Sequence, residues 1–408
     1  MRRRAAVLVG ILGLGASACF SACSGADGKV DAFGDSGGGD TSTTALDSAM
    51  ESAVADAGDA SDASDAFDAA DAADGACSNT TTDALNCGAC GYACVHGRTC
   101  SAGRCTPAWQ PLSTTNVPAV RDRHAAAGLG TKYVVVGGGT SPGGVGTTTG
   151  SAYDLATDTW STYPSLVTKR CSHEMVSTGT KLYTYGGLTD CSNGTLIGPA
   201  LEESTAGGAW STVSPGNAPK PRYNFAMTWT GTEIMIYGGG DDATPANATG
   251  ARLVPGNSWV DMSCPLAGCE RGGYYALFRD GAVARLFGGG AFGNAPAGLE
   301  YGLATKTWSA WALPAGSPAV DETPMRHADD GRRIYLVKEP AVCTDAPSLR
   351  VYDRKTQTWT TDTATPPTGL LARGAAAWVG SELVVWSGNC GSGGTTVGGR
   401  YQPPAPAP

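Results

Sequence analysis

Short apolar runs recur along the last three quarters of the chain, at Tyr133–Val136, Leu182–Tyr185, Ile234–Tyr237, Val283–Phe287, Ile334–Val337 and Leu383–Trp386. None shows the 3.6-residue spacing of an amphipathic helix, and their length and bulk suit buried strands. Glycine pairs follow four of them, Gly137-Gly138, Gly186-Gly187, Gly238-Gly239 and Gly288-Gly289, with Ser387-Gly388 a weaker fifth. A tryptophan stands about 20 residues beyond each pair. Trp109, Trp160, Trp210, Trp259, Trp308 and Trp359 are spaced by 51, 50, 49, 49 and 51 residues. Tight turns such as Gly130-Thr131, Gly179-Thr180, Gly231-Thr232 and Asp280-Gly281 precede the apolar runs. Each unit therefore predicts four short antiparallel strands. One such sheet cannot bury both of its faces, whereas six packed radially can.

The period, glycine pairs and tryptophans over residues 107–402 resemble the kelch repeat, whose period is about 50 residues. The resemblance implies an all-β, six-bladed kelch-type β-propeller. Residues 370–402 supply only three strands of a last blade, while 107–112 supply an isolated tryptophan strand. An N-terminal strand is thus expected to complete the C-terminal blade and remove a free edge. Blade five departs from the pattern: Lys338-Glu339 replaces the glycine pair, and Asp329-Asp330 falls within its expected first strand.

Loop lengths divide the ring into two ends. Loops between second and third strands are long (139–150, 188–199, 240–249, 290–298, 340–347 and 389–396), whereas the other hairpin turns are tight. Cys171, Cys191, Cys264, Cys269, Cys343 and Cys390 all fall at the long-loop end, and the pairs 171–191, 264–269 and 343–390 are expected. Rigid loops on a stable scaffold make that end the expected face for a protein or glycan ligand.

Composition adds the compartment. Glycine is 59 of 408 residues, about twice the usual share of roughly 7%. There is no basic excess, which argues against a nucleic-acid partner. Arg2–Arg4 followed by the apolar run Ala5–Leu14 form an export signal too short to span a membrane. Phe20-Ser21-Ala22-Cys23 resembles the bacterial lipobox, with Ala16-Ser17-Ala18-Cys19 a rival. Lipidation at Cys23 leaves twelve of fourteen cysteines to pair, an even number. Residues 1–22 are thus a signal peptide, and the product is a membrane-anchored lipoprotein of the outer membrane or cell surface; the alternative is free secretion.

Residues 23–76 form a disordered Asp/Ala-rich tether. Residues 24–76 hold twelve Asp, Glu51 and one basic residue, Lys29. From Asp56 to Asp74 an aspartate recurs every third residue, a period that fits neither helix nor strand. Lacking large apolar side chains, the segment cannot offset its ordering entropy, and its charges repel. A calcium-binding tract is the sharper reading, but the glycine and bidentate glutamate of a dedicated loop are missing. Residues 77–105 hold Cys77, Cys87, Cys90, Cys94, Cys100 and Cys105, whose fifteen pairings the sequence leaves open. The segment resembles a short Cys-rich module of surface proteins in some soil bacteria. Zinc at Cys87-x2-Cys90 is the rival to disulfides, which an exported chain favours. Residues 106–402 are the propeller, and 403–408 a Pro-rich tail.

Polar residues gather before the first strand of several units. Counted back from the glycine pair, Arg121, Arg170 and Arg222 are equivalent; Arg123 matches Asn224 and Arg373; His124 matches His173. In kelch proteins some of these arginines are structural and others bind acidic ligands in the central pocket. That resemblance makes Arg123, Asn224 and Arg373 pocket candidates, with His124 and His173 beside them. No nucleophile elbow, phosphate loop or metalloprotease motif is present, and no metal or cofactor is expected. The expected function is a monomeric, non-enzymatic protein- or carbohydrate-binding module at the cell envelope. The alternatives are a kelch-type enzyme on sugars, epimerase- or mutarotase-like, and a structural envelope component.

Overall fold

The computed structural model describes residue 77 and residues 79–406, apart from 142, 242–246, 267, 291–297, 319–324, 339–347, 371–373 and 391–392. The export signal, Cys23 and the acidic tether lie outside the described residues. A hairpin, β1 (Thr99–Ser101) and β2 (Arg104–Thr106), comes first, followed by β3 (Trp109–Pro111). Six four-stranded antiparallel sheets make up the rest. Blade one is β4–β7 (Ala125–Leu129, Lys132–Val136, Gly150–Asp154, Thr159–Tyr163) and blade two β8–β11 (Glu174–Ser177, Lys181–Tyr185, Leu201–Thr205, Ser211–Val213). Blade three is β12–β15 (Ala226–Trp229, Ile234–Tyr237, Gly250–Val254, Ser258–Asp261) and blade four β16–β19 (Arg271–Asp280, Val283–Gly290, Gly298–Gly302, Trp308–Ala310). Blade five is β20–β23 (Met325–Asp329, Arg333–Lys338, Ser348–Asp353, Thr358–Asp362). Blade six combines β24–β26 (Ala375–Val379, Glu382–Cys390, Gly393–Tyr401) with β3 as its outer strand. The fold is a six-bladed propeller closed by its N-terminal strand: Tyr401 pairs with Trp109 and Gly399 with Pro111.

The core consists of six apolar clusters, one in each gap between neighbouring blades. Four outer-strand tryptophans pack on the residue just before the glycine pair, or its counterpart, of the preceding blade. Trp160 meets Trp386 at 4.9 Å, Trp259 meets Tyr185 at 5.7 Å, Trp308 meets Tyr237 at 4.7 Å and Trp359 meets Phe287 at 5.0 Å between ring centroids. Periodic tryptophans thus fill the blade interfaces, where large aromatic area is buried. The glycine pair makes room for the next blade. Gly137 has φ +66°, and a Cβ there would lie 2.6 Å from His173 and 2.8 Å from the Arg170 carbonyl. In blade five Asp329 ends β20, whereas Asp330 leaves the strand and accepts from the Arg332 amide in the turn.

The Cys-rich segment has bridges Cys77–Cys90, Cys87–Cys100 and Cys94–Cys105. It packs on the closing blade. Arg98 is buried and reaches Glu382 at 2.6 Å, the Pro107 carbonyl at 3.0 Å and the Arg400 carbonyl at 3.2 Å. The Gln402 side chain accepts from the Val95 amide and donates to the Ala93 carbonyl. Tyr92 donates to the Pro403 carbonyl at 2.6 Å.

Candidate functional site

The inner strands β4, β8, β12, β16, β20 and β24 surround a central channel holding a cavity of about 340 Å³. Strand register shows which wall residues are equivalent. The residue paired with the last position before the glycine pair, or its counterpart, is Ala125, Glu174, Ala226, Ala276, Arg326 or Ala375. Four blades place alanine there. Blades two and five, which oppose each other in a six-membered ring, place Glu174 and Arg326. The two side chains meet across the channel, with Arg326 Nη1 3.4 Å from Glu174 Oε1. Burial pushes the Glu174 carboxyl up to about 7, against the pull of Arg326.

Three residues further along, the same register places Gly128, Ser177, Trp229, Arg279, Asp329 and Trp378 at the tight-turn mouth. Trp229 and Trp378 stand in opposed blades three and six. Trp378 stacks on Tyr335, with centroids 5.4 Å apart and planes 6° from parallel. A Cβ on Gly128 would lie 2.1 Å from the Trp378 carbonyl, so glycine there lets blades one and six approach closely. Arg354 holds Asp329 through two bonds of 2.7 and 2.6 Å and donates to the Arg279 carbonyl at 2.8 Å.

The five ligand candidates read from sequence are dispersed. His124 and Asn224 line the cavity. The Arg123 guanidinium instead donates to the Cys191 carbonyl and lies 3.8 Å from Asp122. Its backbone occupies the left-handed region, as do those of Ser172 and Asn224 at equivalent positions. The Ser172 amide donates to the Arg123 carbonyl, and the Asn224 amide to the Ser172 carbonyl, linking three blades at 2.9 and 3.1 Å. His173 is buried under Gly137 and Gly187; Phe225 and Tyr275 hold the equivalent place in blades three and four. The histidines here act as flat spacers, and burial drives both well below the ordinary imidazole range, leaving them neutral. Arg373 lies outside the described residues.

The equivalent arginines Arg121, Arg170 and Arg222 serve the frame. Each donates at 2.8 Å to the first carbonyl of a glycine pair, that of Gly137, Gly186 or Gly238. Arg170 also pairs with buried Glu202 at 2.7 Å. Disulfides join Cys171 to Cys191 and Cys264 to Cys269. The third expected bridge involves Cys343, outside the described residues. Glu174, Arg326, His327, Asp329, Trp229 and Trp378 also line the cavity, and sequence reading did not single out Glu174, Trp229 or Trp378. Their signal was available only as a departure from the repeat: Glu174 stands where four blades carry alanine, and the two tryptophans where the other blades carry Gly128, Ser177, Arg279 and Asp329.

The model of the stigma-specific STIG1-like protein family matches residues 60–111. That match contains the six-cysteine segment with its three bridges and ends in β3; its first residues lie in the Asp/Ala tract. No curated protein matches the chain. The matched residues therefore include both the six-cysteine segment and the closing strand of blade six.

Proposed function

We propose that the chain is an exported, non-enzymatic binding module of kelch type, held at the cell envelope by lipid on Cys23 and presenting its propeller to a protein or carbohydrate ligand. The observation that carries this reading is the channel wall, where an opposed Glu174–Arg326 pair interrupts a ring of alanines inside a closed frame. A charged pair set in a low-dielectric wall costs desolvation that an apolar pair would not, so its presence favours recognition over packing. Export is supported by five disulfides among the described residues, which persist in oxidising compartments.

The test is a mixed glycan and peptide array probed with the full chain, beside a Glu174→Gln/Arg326→Gln double variant. Saturable binding weakened in the variant supports the reading. Binding to nothing on the array overturns it. A second reading, an enzyme on sugars, is favoured by one observation: a carboxyl raised to about 7 is poised to give and take protons near neutrality. Under that reading the wild type accelerates interconversion of sugar anomers or epimers in an NMR assay, and Glu174→Gln abolishes the acceleration.

A further inference from the structure

The tight-turn face carries an open concavity, and it lies opposite the long-loop face. A groove of about 1060 Å³ crosses this face, and it shares Ser177, Trp229 and Asp329 with the channel cavity. Channel and groove therefore form one continuous surface.

Its lining has a particular chemistry. Trp229 and Tyr183 are half-buried and contribute aromatic surface. Around them stand short hydroxyl and amide groups, among them Thr180, Thr230, Thr232 and Asn257. Turn-tip glycines such as Gly179 and Gly256 have open space where a Cβ would be, so the backbone there is approachable. The apolar lining is Ile234, which is buried, half-buried Leu253 and Val254, and Pro255; the most exposed large apolar side chains, Leu85, Val145, Val167, Val260 and Leu266, lie elsewhere. A peptide would seek apolar anchor pockets or a free strand edge. A sugar ring needs a flat aromatic face for its C–H side and a rim of donors and acceptors for its hydroxyls.

Charge narrows the class further. Lys181 in the groove is paired with Glu203 at 3.3 Å, and Arg354 with Asp329. Arg279 is exposed, donates its Nε to the Gly281 carbonyl at 3.1 Å, and pairs with no carboxylate among the described residues. Its Nη1 reaches to within 2.8 Å of where a Gly231 Cβ would stand, at the tip of the blade-three turn that follows Trp229. A guanidinium beside an aromatic surface suits a carboxylate carried by a sugar.

We infer that the channel mouth on the tight-turn face is a binding site for an acidic oligosaccharide, with Trp229 as stacking surface and Arg279 as the carboxylate-binding group. The inference rests on the binding-module reading and names its ligand class and face.

The experiment is calorimetric titration of the full chain, purified in detergent, with an oligogalacturonate and with a neutral cello-oligosaccharide, beside a peptide array. Saturable binding with preference for the acidic oligomer is expected. Trp229→Ala should weaken it by up to about tenfold, a loss of the size set by one aromatic contact. Because Trp229 also packs between blades, Arg279→Gln is the independent variant: its side chain is exposed, its melting temperature should hold, and its affinity for the acidic oligomer should fall to that for the neutral one. Saccharide binding untouched by Arg279→Gln overturns the inference. Peptide binding alone overturns it too, while the binding-module reading survives. No binding of either class by the folded protein overturns both.

Discussion

Four of the six equivalent wall positions hold alanine, and the two exceptions carry opposite charges in opposed blades. Glu174 feels two opposing influences, burial raising its pKa and Arg326 lowering it, and burial wins. A carboxyl raised from its ordinary 4.5 to about 7 binds a proton in the folded state that the unfolded chain has released. Its contribution to stability is full below 4.5 and is lost as pH rises through about 7. The prediction is that the melting-temperature difference between wild type and Glu174→Gln changes across pH 4.5–7 and is flat outside that window. Buried His124 and His173 and half-buried His327 work in the opposite direction, since their lowered values make folding weaker as pH falls below 6.5. They are common to both proteins and cancel in the difference. A flat difference throughout would show that Glu174 titrates as an ordinary carboxylate.

At the scale of elements, ring closure depends on three residues of β3. Trp109 is buried, packs 5.1 Å from Tyr401 and fills the gap between blades five and six. Trp109→Ala is expected to cost about 3–5 kcal/mol in chemical denaturation, the usual range for a buried aromatic truncated to alanine. Deleting 107–111 should cost more, because β26 then becomes a bare edge. A melting temperature unchanged by the deletion would refute the closure. This element was legible in the sequence, because a tryptophan without a blade and a blade without a tryptophan are both departures from a count. The blade interfaces were legible for the same reason: the 49–51-residue period reports what every blade must bury. The site was not. The candidate site sits where blades differ, and Glu174 or Trp229 stands out only once strand register aligns it with Ala125 or Gly128. Arg123 shows the converse. The kelch resemblance made it a pocket candidate, yet its guanidinium donates to the Cys191 carbonyl.

The whole molecule is organised around one seam, where blade six takes strands from both ends of the propeller sequence. The six-cysteine segment covers that seam from outside. Arg104 pairs at 2.7 Å with Asp362, which also accepts from Tyr401 at 2.5 Å, and Arg333 donates to the Pro404 carbonyl at 2.8 Å. The tail after β26 is thus held by the segment on one side and blade five on the other. Three disulfides fix a segment too small for a large core of its own, and its buried cation Arg98 is committed to Glu382 of the propeller. Truncating Arg98 leaves buried Glu382 with His96 at 2.9 Å in place of a guanidinium, and breaking a buried pair costs about 3–5 kcal/mol. Arg98→Ala should therefore destabilise the propeller itself, although Arg98 belongs to no blade. The measurement is differential scanning calorimetry. One transition in the wild type that moves as a unit to lower temperature in Arg98→Ala means that segment and ring unfold together. Two wild-type transitions, with only the smaller shifted by the substitution, would mean that the segment rides on the propeller without bracing it.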